Sequence, residues 1–206
     1  MVERVLRYVR YRLWAMQQYP DPELLFVRGG IGDVVRYLAE CNSPDKTKQV
    51  LVRFGARVHA EAMPLGPRLS LHEVRNDFRN LSVGRSAHIG CEVFLDLSDE
   101  IRIEESVTVG MRSILLTHMN LGDGYPNKPL ARIFRATTAP IVLRRGCSIG
   151  AGAIVMKGVT IGEDSVIGAG VVVSRSVPPR TVVHSTQARP DLRIADRWFE
   201  SASEGE

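Results

Sequence analysis

The sequence predicts an all-β solenoid of stacked parallel coils behind a short helical appendage, and three observations predict it. An aliphatic residue recurs every six positions between residues 83 and 173, glycine often follows it, and a small or β-branched residue stands four places after it. An α-helix repeats its apolar face every 3.6 residues, so a period of six excludes a helix here. Six residues can form one short strand and one corner, and three such units close a triangular coil of about 18 residues that pairs with the coils above and below it.

Two features interrupt this repeat: two extra residues between Leu95 and Ile103, and a long segment between Leu115 and Leu143. The leading aliphatic positions are Val83, Ile89, Leu95, Ile103, Val109, Leu115, Leu143, Ile149, Val155, Ile161, Ile167 and Val173. The small or β-branched positions are Ala87, Val93, Val107, Ser113, Cys147, Ala153, Val159, Ser165, Val171 and Val177. In a coil the aliphatic side chain points inward, the small residue fits the crowded corner, and glycine permits the backbone angles that a corner needs.

Composition narrows the class of protein. The chain has 206 residues, of which 44% are hydrophobic, and 27 basic against 23 acidic residues leave a net charge of +4. That mild basic balance suits an anionic ligand but is too weak to predict nucleic-acid binding. The three cysteines have no metal-binding spacing, which predicts reduced thiols. There is no apolar stretch of ~18 residues, and Arg4 and Arg7 interrupt any signal-peptide core, so we expect a cytoplasmic protein without a membrane span.

The chain before the repeat predicts helices. Residues 2–18 read as a basic amphipathic helix that packs on the coil, with contact to an anionic membrane surface as the less favoured alternative. A second helix is expected from about Asp33 to Glu40, ahead of Asn42-Ser43-Pro44. Val50 to Met63 is expected to form a degenerate first coil. The predicted organisation is therefore a helical segment at 1–49, a β-helix at 50–193 and a polar tail at 194–206.

One segment departs from the repeat completely. Residues 118–140 (HMNLGDGYPNKPLARIFRATTAP) contain no six-residue unit, and their glycines and prolines predict a loop. Long irregular loops in compact domains are usually functional or disordered. Because this loop leaves and rejoins a rigid scaffold, we expect it to carry function.

The repeats in IGAGAIVMKGVTIGEDSVIGAGVVVSRSVPP (149–179) and VGRSAHIGCEVFLDLSDEIRIEESVTVGMRSILLTH (83–118) resemble the hexapeptide-repeat acyltransferase family, especially maltose and colanic-acid O-acetyltransferases. The resemblance covers roughly residues 50–193. It implies a left-handed coil, a homotrimer with active sites between neighbouring subunits, and acetyl-CoA as co-substrate without a metal. It also implies transfer of acetyl to a hydroxyl of a sugar or polysaccharide precursor.

The resemblance further assigns residues. His118 follows the aliphatic run Ile114-Leu115-Leu116-Thr117, where the family places its catalytic histidine, and an imidazole suits a general base near neutral pH. The coenzyme positions are Ala151 and Ala169, which follow Ile-Gly in successive coils, with Ser174 and Arg175 before the exit. Arg189 matches a further basic position near the coenzyme.

Acidic and amide side chains near His118 are less clearly assigned. Asp96 and Asp99 are candidates to orient the imidazole of His118, with solvent-exposed turn carboxylates as the alternative for each. Asp96 and Asn120 are also candidates for contact with the acceptor.

Two departures from the family pattern affect the coenzyme site. Ser148 stands where the family often has an aromatic residue, and the run from His184 to Arg189 replaces its usual Ala-Gly-x-Pro-Ala-Lys ending.

Three other functions remain open from the sequence. An amino-sugar nitrogen could replace the hydroxyl as acceptor. A non-catalytic scaffold would use the same coil without binding coenzyme. A γ-class carbonic anhydrase shares the coil but needs three histidines on a metal, and His118 has no histidine within the next several residues.

Overall fold

The structure, a computed structural model, describes Leu6 and residues 20–122, 134–184 and 192–193. The predicted basic helix at 2–18 lies outside the described residues except for Leu6, as does the polar tail at 194–206. No described helix is long and apolar enough to cross a membrane.

Two helices precede the coil within residues 20–56. The helix α1 runs over Pro22–Glu40, and the Asp21 carboxylate caps it by accepting a hydrogen bond from the backbone N–H of Glu23 at 2.9 Å. A kink interrupts α1 at Gly30, whose φ of 66° is a left-handed value that glycine adopts without steric cost. The second helix, α2, runs over Pro44–Arg53 and is capped by the Ser43 hydroxyl.

Both helices correct the sequence prediction. Helix α1 begins eleven residues before the expected Asp33, because Asp21 and Pro22 provide the cap and first-turn proline of a helix start. The predicted boundary at residue 50 falls inside α2, and the expected degenerate coil at Val50–Met63 is helical up to Arg53. Val52, taken as a coil position, is 48% exposed on that helix.

The rest of the described chain is a parallel β-helix with three faces. Face A contains β1 (Arg57–Val58), β3 (Leu81–Val83), β6 (Ile101–Ile103), β11 (Ile141–Leu143) and β14 (Thr160–Ile161). Face B contains β4 (His88–Ile89), β7 (Thr108–Val109), β12 (Ser148–Ile149), β15 (Val166–Ile167), β17 (Thr181–Val183) and β18 (Leu192–Arg193). Face C contains β2 (Ser70–His72), β5 (Phe94–Asp96), β8 (Ile114–Leu115), β13 (Ile154–Val155) and β16 (Val172–Val173).

The chain visits faces A, B and C in turn, and the register keeps the repeats directly above one another. On face C, for example, Leu95 pairs with Leu115. All twelve leading aliphatic positions are buried, at 5% exposure or less, and line the interior of the prism. The predicted inward repeat is therefore confirmed.

The small corner residues are also buried, and their polar members are satisfied internally. The Ser113 hydroxyl donates to the backbone carbonyls of Gly110 at 2.8 Å and Gly150 at 3.0 Å. Burial raises the pKa of the Cys147 thiol to about 12, with a smaller contribution from nearby Glu104 and Asp164. Cys41, Cys91 and Cys147 are free thiols in this structure.

Glycine after the aliphatic position permits close stacking of the coils. A Cβ added at Gly150 would lie 2.5 Å from the backbone nitrogen of Ala169 and 2.7 Å from the carbonyl oxygen of Ile167. Both are backbone atoms of the next coil, so a side chain here would push two coils apart.

We expect Gly150→Ala to destabilise the protein by about 1–3 kcal/mol, the usual cost of overpacking a rigid interior. Thermal unfolding should show an apparent Tm lower by several degrees. Gly32→Ala is the matched control, because an added Cβ there meets no atom within 4 Å. An equal Tm for the two variants would contradict the close-stacking explanation.

The long excursion leaves the prism after face C of the second full coil. Its described ends pair as the antiparallel strands β9 (His118–Met119) and β10 (Thr137–Thr138), with His118 opposite Thr138. The chain then re-enters face A at β11. Residues 123–133 of the excursion lie outside the described part.

Candidate active site

The corner between faces C and A places Asp96 beneath His118. Strand β5 pairs with β8 one coil later, so Asp96 at the end of β5 lies below the start of the excursion. The two extra residues in the repeat fall in the corner directly after Asp96, which includes Ser98 and Asp99. The interruption in the six-residue period therefore builds this corner.

The Asp96 carboxylate holds His118 directly. Its Oδ2 lies 2.6 Å from Nδ1 of the His118 ring and also accepts a hydrogen bond from the His118 backbone N–H at 2.8 Å. The Asp96 side chain is fully buried, whereas that of His118 is 25% exposed. The imidazole is thus anchored at one nitrogen from inside the prism.

Further hydrogen bonds fix the carboxylate. Oδ2 of Asp96 accepts from the backbone N–H of Thr117 at 2.7 Å, and Oδ1 accepts from the hydroxyl of Ser98 at 2.7 Å and its backbone N–H at 3.1 Å. The buried Thr117 hydroxyl donates to the Asp96 carbonyl at 2.8 Å and accepts from the Asp99 N–H at 3.0 Å. Backbone groups on both coils therefore fix the position of Asp96 relative to His118.

These contacts keep Asp96 ionised. Burial by itself raises the pKa of a carboxyl group, but the hydrogen bonds from Ser98, His118 and Thr117 outweigh it, so the pKa of Asp96 is lowered from its ordinary value. An ionised carboxylate only accepts hydrogen bonds, so the Nδ1 of His118 must carry the proton. The neutral imidazole then presents its unprotonated Nε2 as a base.

A cavity of about 200 Å³ opens beside His118. Its lining is mainly polar and comes from the face C corner and both ends of the excursion: Glu73, Arg75, Ser98, His118, Met119, Asn120, Ala136, Thr137 and Thr138. A second cavity of about 300 Å³ shares Arg75 and Ser98 with it. The anchored imidazole therefore faces a space that can admit a polar molecule.

The structure distinguishes among the acidic and amide candidates. Asp96 is buried and its oxygens accept hydrogen bonds from Thr117, Ser98 and His118, so it holds the His118 ring, and its contact with the acceptor stays a prediction. Asp99 instead accepts a hydrogen bond from the Glu100 backbone N–H at 2.7 Å. Asn120 lines the cavity beside His118, and its contact with the acceptor stays a prediction.

Sequence analysis missed His72. It ends β2, pairs with Asp96 in register, and its ring lies 5.7 Å from that of His118 at an angle of 15°. The available signal was Leu71, which stacks below Leu95 and Leu115 as an inward position. Placing His72 from Leu71 would require knowing how many residues the irregular coil between β2 and β5 contains, and the sequence did not show that number.

The coenzyme candidates Ala151 and Ala169 lie at a different corner, where face B passes into face C. Both are exposed, and they stand one coil apart. Within the described residues, neither donates its backbone N–H to a hydrogen bond. These two amides are therefore free to bind a carbonyl oxygen of a ligand.

Ser174 and Arg175 lie at the corner between faces C and A, above His118. Both line a cavity of about 390 Å³ together with Val172, Pro178 and Thr181. Arg175 is exposed and forms no ion pair with the described residues. Arg189 lies outside the described part of the chain.

One chain therefore does not bring all predicted site residues together. Ala151 and Ala169 occupy one edge of the prism and His118 the next, with face C between them. On the four strands of face C that follow β2, the first outward side chain of each strand is apolar: Phe94, Ile114 and Ile154 are half-buried, and Val172 is 60% exposed.

Comparison with known proteins agrees with this architecture. A family model described as bacterial transferase hexapeptide (six repeats) matches residues 140–175. The chain is 30% identical to galactoside O-acetyltransferase of Escherichia coli (strain K12) over 118 residues, 56% of this chain and 58% of that protein. It is 41% identical over 61 residues to 2,3,4,5-tetrahydropyridine-2,6-dicarboxylate N-acetyltransferase of Enterococcus faecalis, 30% of this chain and 26% of that protein. The chain thus spans less than two thirds of the length of these relatives.

The fold also matches a solved structure. A hexapeptide-repeat-containing acetyltransferase from Vibrio cholerae, crystallised with acetyl coenzyme A, superposes with a TM-score of 0.64 at 23% identity, covering 84% of this chain and 87% of that one. The fold is a left-handed parallel β-helix with an anchored imidazole at one edge. The chain therefore contains the hexapeptide repeat that the matched family model describes, and it is similar over part of its length to the acetyltransferases named above.

Proposed function

We propose that the protein transfers acetyl from acetyl-CoA to a hydroxyl group of a sugar or polysaccharide precursor, with His118 as general base. One observation carries the proposal: a buried, ionised Asp96 holds Nδ1 of His118 at 2.6 Å, so that Nε2 is available to the polar cavity. The resemblance to a galactoside O-acetyltransferase supports a sugar hydroxyl as acceptor.

In this mechanism the Nε2 of His118 accepts the hydroxyl proton as the acceptor oxygen attacks the thioester carbonyl carbon. A tetrahedral oxyanion forms and collapses, the carbon–sulfur bond breaks, and His118 returns the proton to the coenzyme thiolate. Asp96 remains ionised throughout and stabilises the imidazolium that exists between the two proton transfers. The products are the acetyl ester and free coenzyme A.

The lining of the cavity supports a polyhydroxylated acceptor. Glu73 can accept hydrogen bonds from hydroxyl groups, Arg75 can donate them, and Asn120 can do both. An N-acetyltransferase on an amino sugar is the second candidate. The match to an N-acetyltransferase favours it, and Glu73 could hold an amino group before its deprotonation.

A homotrimer would complete the site. Face C separates Ala151 and Ala169 from His118, and its outward stripe of Phe94, Ile114, Ile154 and Val172 is apolar enough to pack against a second copy. Packing across face C would bring the alanine corner of one subunit beside the His118 corner of its neighbour. Light scattering should then give about three times the chain mass of 22.9 kDa, and a monomer would refute the shared site.

The coenzyme site leads to a prediction for Arg175. Its unpaired guanidinium at the edge of a cavity suits a phosphate group of the coenzyme. We expect Arg175→Ala to raise the KM for acetyl-CoA by about tenfold with a smaller change in kcat, because a charge-assisted hydrogen bond is lost. Arg102→Ala is the control, since Arg102 is paired with Glu100 on face A. An unchanged KM would argue against the phosphate contact.

The decisive experiment supplies acetyl-CoA with a panel of acceptors and follows thiol release. The panel should contain neutral sugars, nucleotide sugars and amino sugars, and mass spectrometry of the product should distinguish ester from amide. Acceptor-dependent release with an ester product supports the proposal, and an amide product selects the second candidate. Failure to bind acetyl-CoA by calorimetry would favour a scaffold protein.

A further inference from the structure

His118 and Asp96 form a cluster with a third side chain, His72, that the proposed reaction does not require. His72, Asp96 and His118 each offer one ligand atom, and these atoms all lie within 4.8 Å of one another. Two imidazoles and one carboxylate are ligands that zinc prefers. The cluster comes from three successive levels of the prism, because β2, β5 and the chain after β8 are stacked on face C.

Strand pairing positions His72, and hydrogen bonds position Asp96 and His118. His72 ends β2, which pairs with β5 in register, and its ring lies 5.6 Å from the ring of Phe94 on β5. Asp96 and His118 are fixed by the hydrogen bonds described above. The His72 side chain is 49% exposed, so an ion can approach from solvent on that side.

The charge of the cluster favours a cation. Within the described residues, the buried carboxylate of Asp96 has no lysine or arginine partner, and its only ion-pair contact is with His118. Of the charged side chains that line the cavity beside His118, Glu73 places its Oε1 4.0 Å from Nε2 of His72, and Arg75 also belongs to the lining. A divalent cation would therefore meet two carboxylates, one buried and one near the entrance.

The distances require only small movements. Ligand atoms on a tetrahedral zinc ion lie roughly 3.3 Å apart, since each bond is about 2.0–2.1 Å. The 2.6 Å contact between Asp96 and His118 would open by less than an ångström. His72 can rotate to meet the ion because half of its side chain is free.

We propose that His72, Asp96 and His118 form a binding site for a divalent transition-metal ion, best suited to zinc, which inhibits the protein because a metal-bound His118 cannot act as a base. This inhibition rests on the function proposed above, since it requires His118 to act as a base. A metal on Nδ1 takes the lone pair of that nitrogen, so the proton that Nδ1 carries moves to Nε2, which then has no lone pair left to accept a proton from the acceptor. The site has two protein-held nitrogens and one oxygen, which leaves a fourth position for water.

Calorimetric titration of metal-stripped protein with Zn²⁺ tests the site without reference to activity. We expect one ion per chain, and at least tenfold weaker binding in His72→Phe. Phenylalanine keeps an aromatic ring between Phe94 and His118 and removes the ligand nitrogen. His88→Phe is the matched control, because His88 lies on face B outside the cluster, and it should bind zinc as the wild type does.

Circular dichroism should confirm that each variant is folded, and His72→Gln replaces His72→Phe if the latter is not. The activity arm measures the zinc concentration that halves each variant's own metal-free rate, and His72→Phe should need at least tenfold more zinc. If no acetyl transfer is found at all, the calorimetry still shows whether zinc binds through His72. Unweakened binding in both His72 variants, or loss of binding in His88→Phe, would overturn it.

Discussion

Replacing His118 with alanine should lower kcat for acetyl transfer by roughly 10²–10⁴, the usual contribution of general acid–base catalysis. The imidazole is the described group that is both anchored by a buried carboxylate and open to the polar cavity. The KM for acetyl-CoA should change little, because the predicted coenzyme residues lie at other levels and corners of the prism. Thiol release under saturating acetyl-CoA measures the effect.

The control for this variant is His88→Ala, which removes an imidazole from face B and should leave kcat within about twofold of the wild type. Thermal unfolding of both variants should show that the prism remains intact, since His118 is partly exposed and does not belong to the apolar interior. If His118→Ala turned over at the rate of His88→Ala, His118 would have no part in the reaction.

Replacing Asp96 with asparagine should have the second large effect, lowering kcat by about 10²–10⁴. The carboxylate accepts hydrogen bonds at both oxygens, from His118 and Thr117 on one side and from Ser98 on the other. An amide must turn its NH₂ toward one of these sets of donors. The His118 ring would then no longer be held in the orientation and tautomer that leave Nε2 unprotonated, and the imidazolium would lose its negatively charged partner.

Asp96→Asn should also lower the free energy of unfolding by about 1–3 kcal/mol, because a buried donor would be left unpaired. Asp99→Asn is the matched control: it lies in the same corner, and its carboxylate accepts from the Glu100 backbone instead of the His118 ring. Near-wild-type kcat and Tm in Asp96→Asn would show that the carboxylate does not position the base.

The same residue predicts a pH dependence of stability. The pKa of Asp96 is lower in the folded protein than its ordinary value, so its contribution is fully present above the unfolded-state pKa of about 4 and is lost as pH falls through the lower folded value. The Tm difference between wild type and Asp96→Asn should therefore be constant near neutral pH and shrink below about pH 4. A difference that stayed constant down to pH 2 would contradict an ionised Asp96.

The sequence predicted the interior of the prism well. Every leading aliphatic position is buried, because in a closed coil with six residues per side one residue of each strand points into the interior. The glycine positions were equally informative, since Gly150 contacts backbone of the next coil where any side chain would clash. These are local consequences of chain geometry, and they repeat often enough to be recognised.

The helices were predicted less well, for a different physical reason. Helix α2 begins at Pro44 behind the Ser43 cap, and both signals are present in the sequence. The six-residue spacing of Val52 and Val58 pointed instead to a coil of the β-helix, and the prediction followed that spacing. Two residues six apart carry little information, whereas a capped first turn is specific, so the cap should have decided the prediction.

By itself, the sequence determined the stacked six-residue coil, the point where the chain leaves it, and His118 as the imidazole at that point, because all three are encoded along the chain. The tertiary structure decided that Asp96 lies under His118 and that His72 lies beside it, since those contacts join residues 22 and 46 positions apart through coils of unequal length. Two extra residues in one corner set that alignment, and their effect on which side chains meet appears only when the coils are stacked.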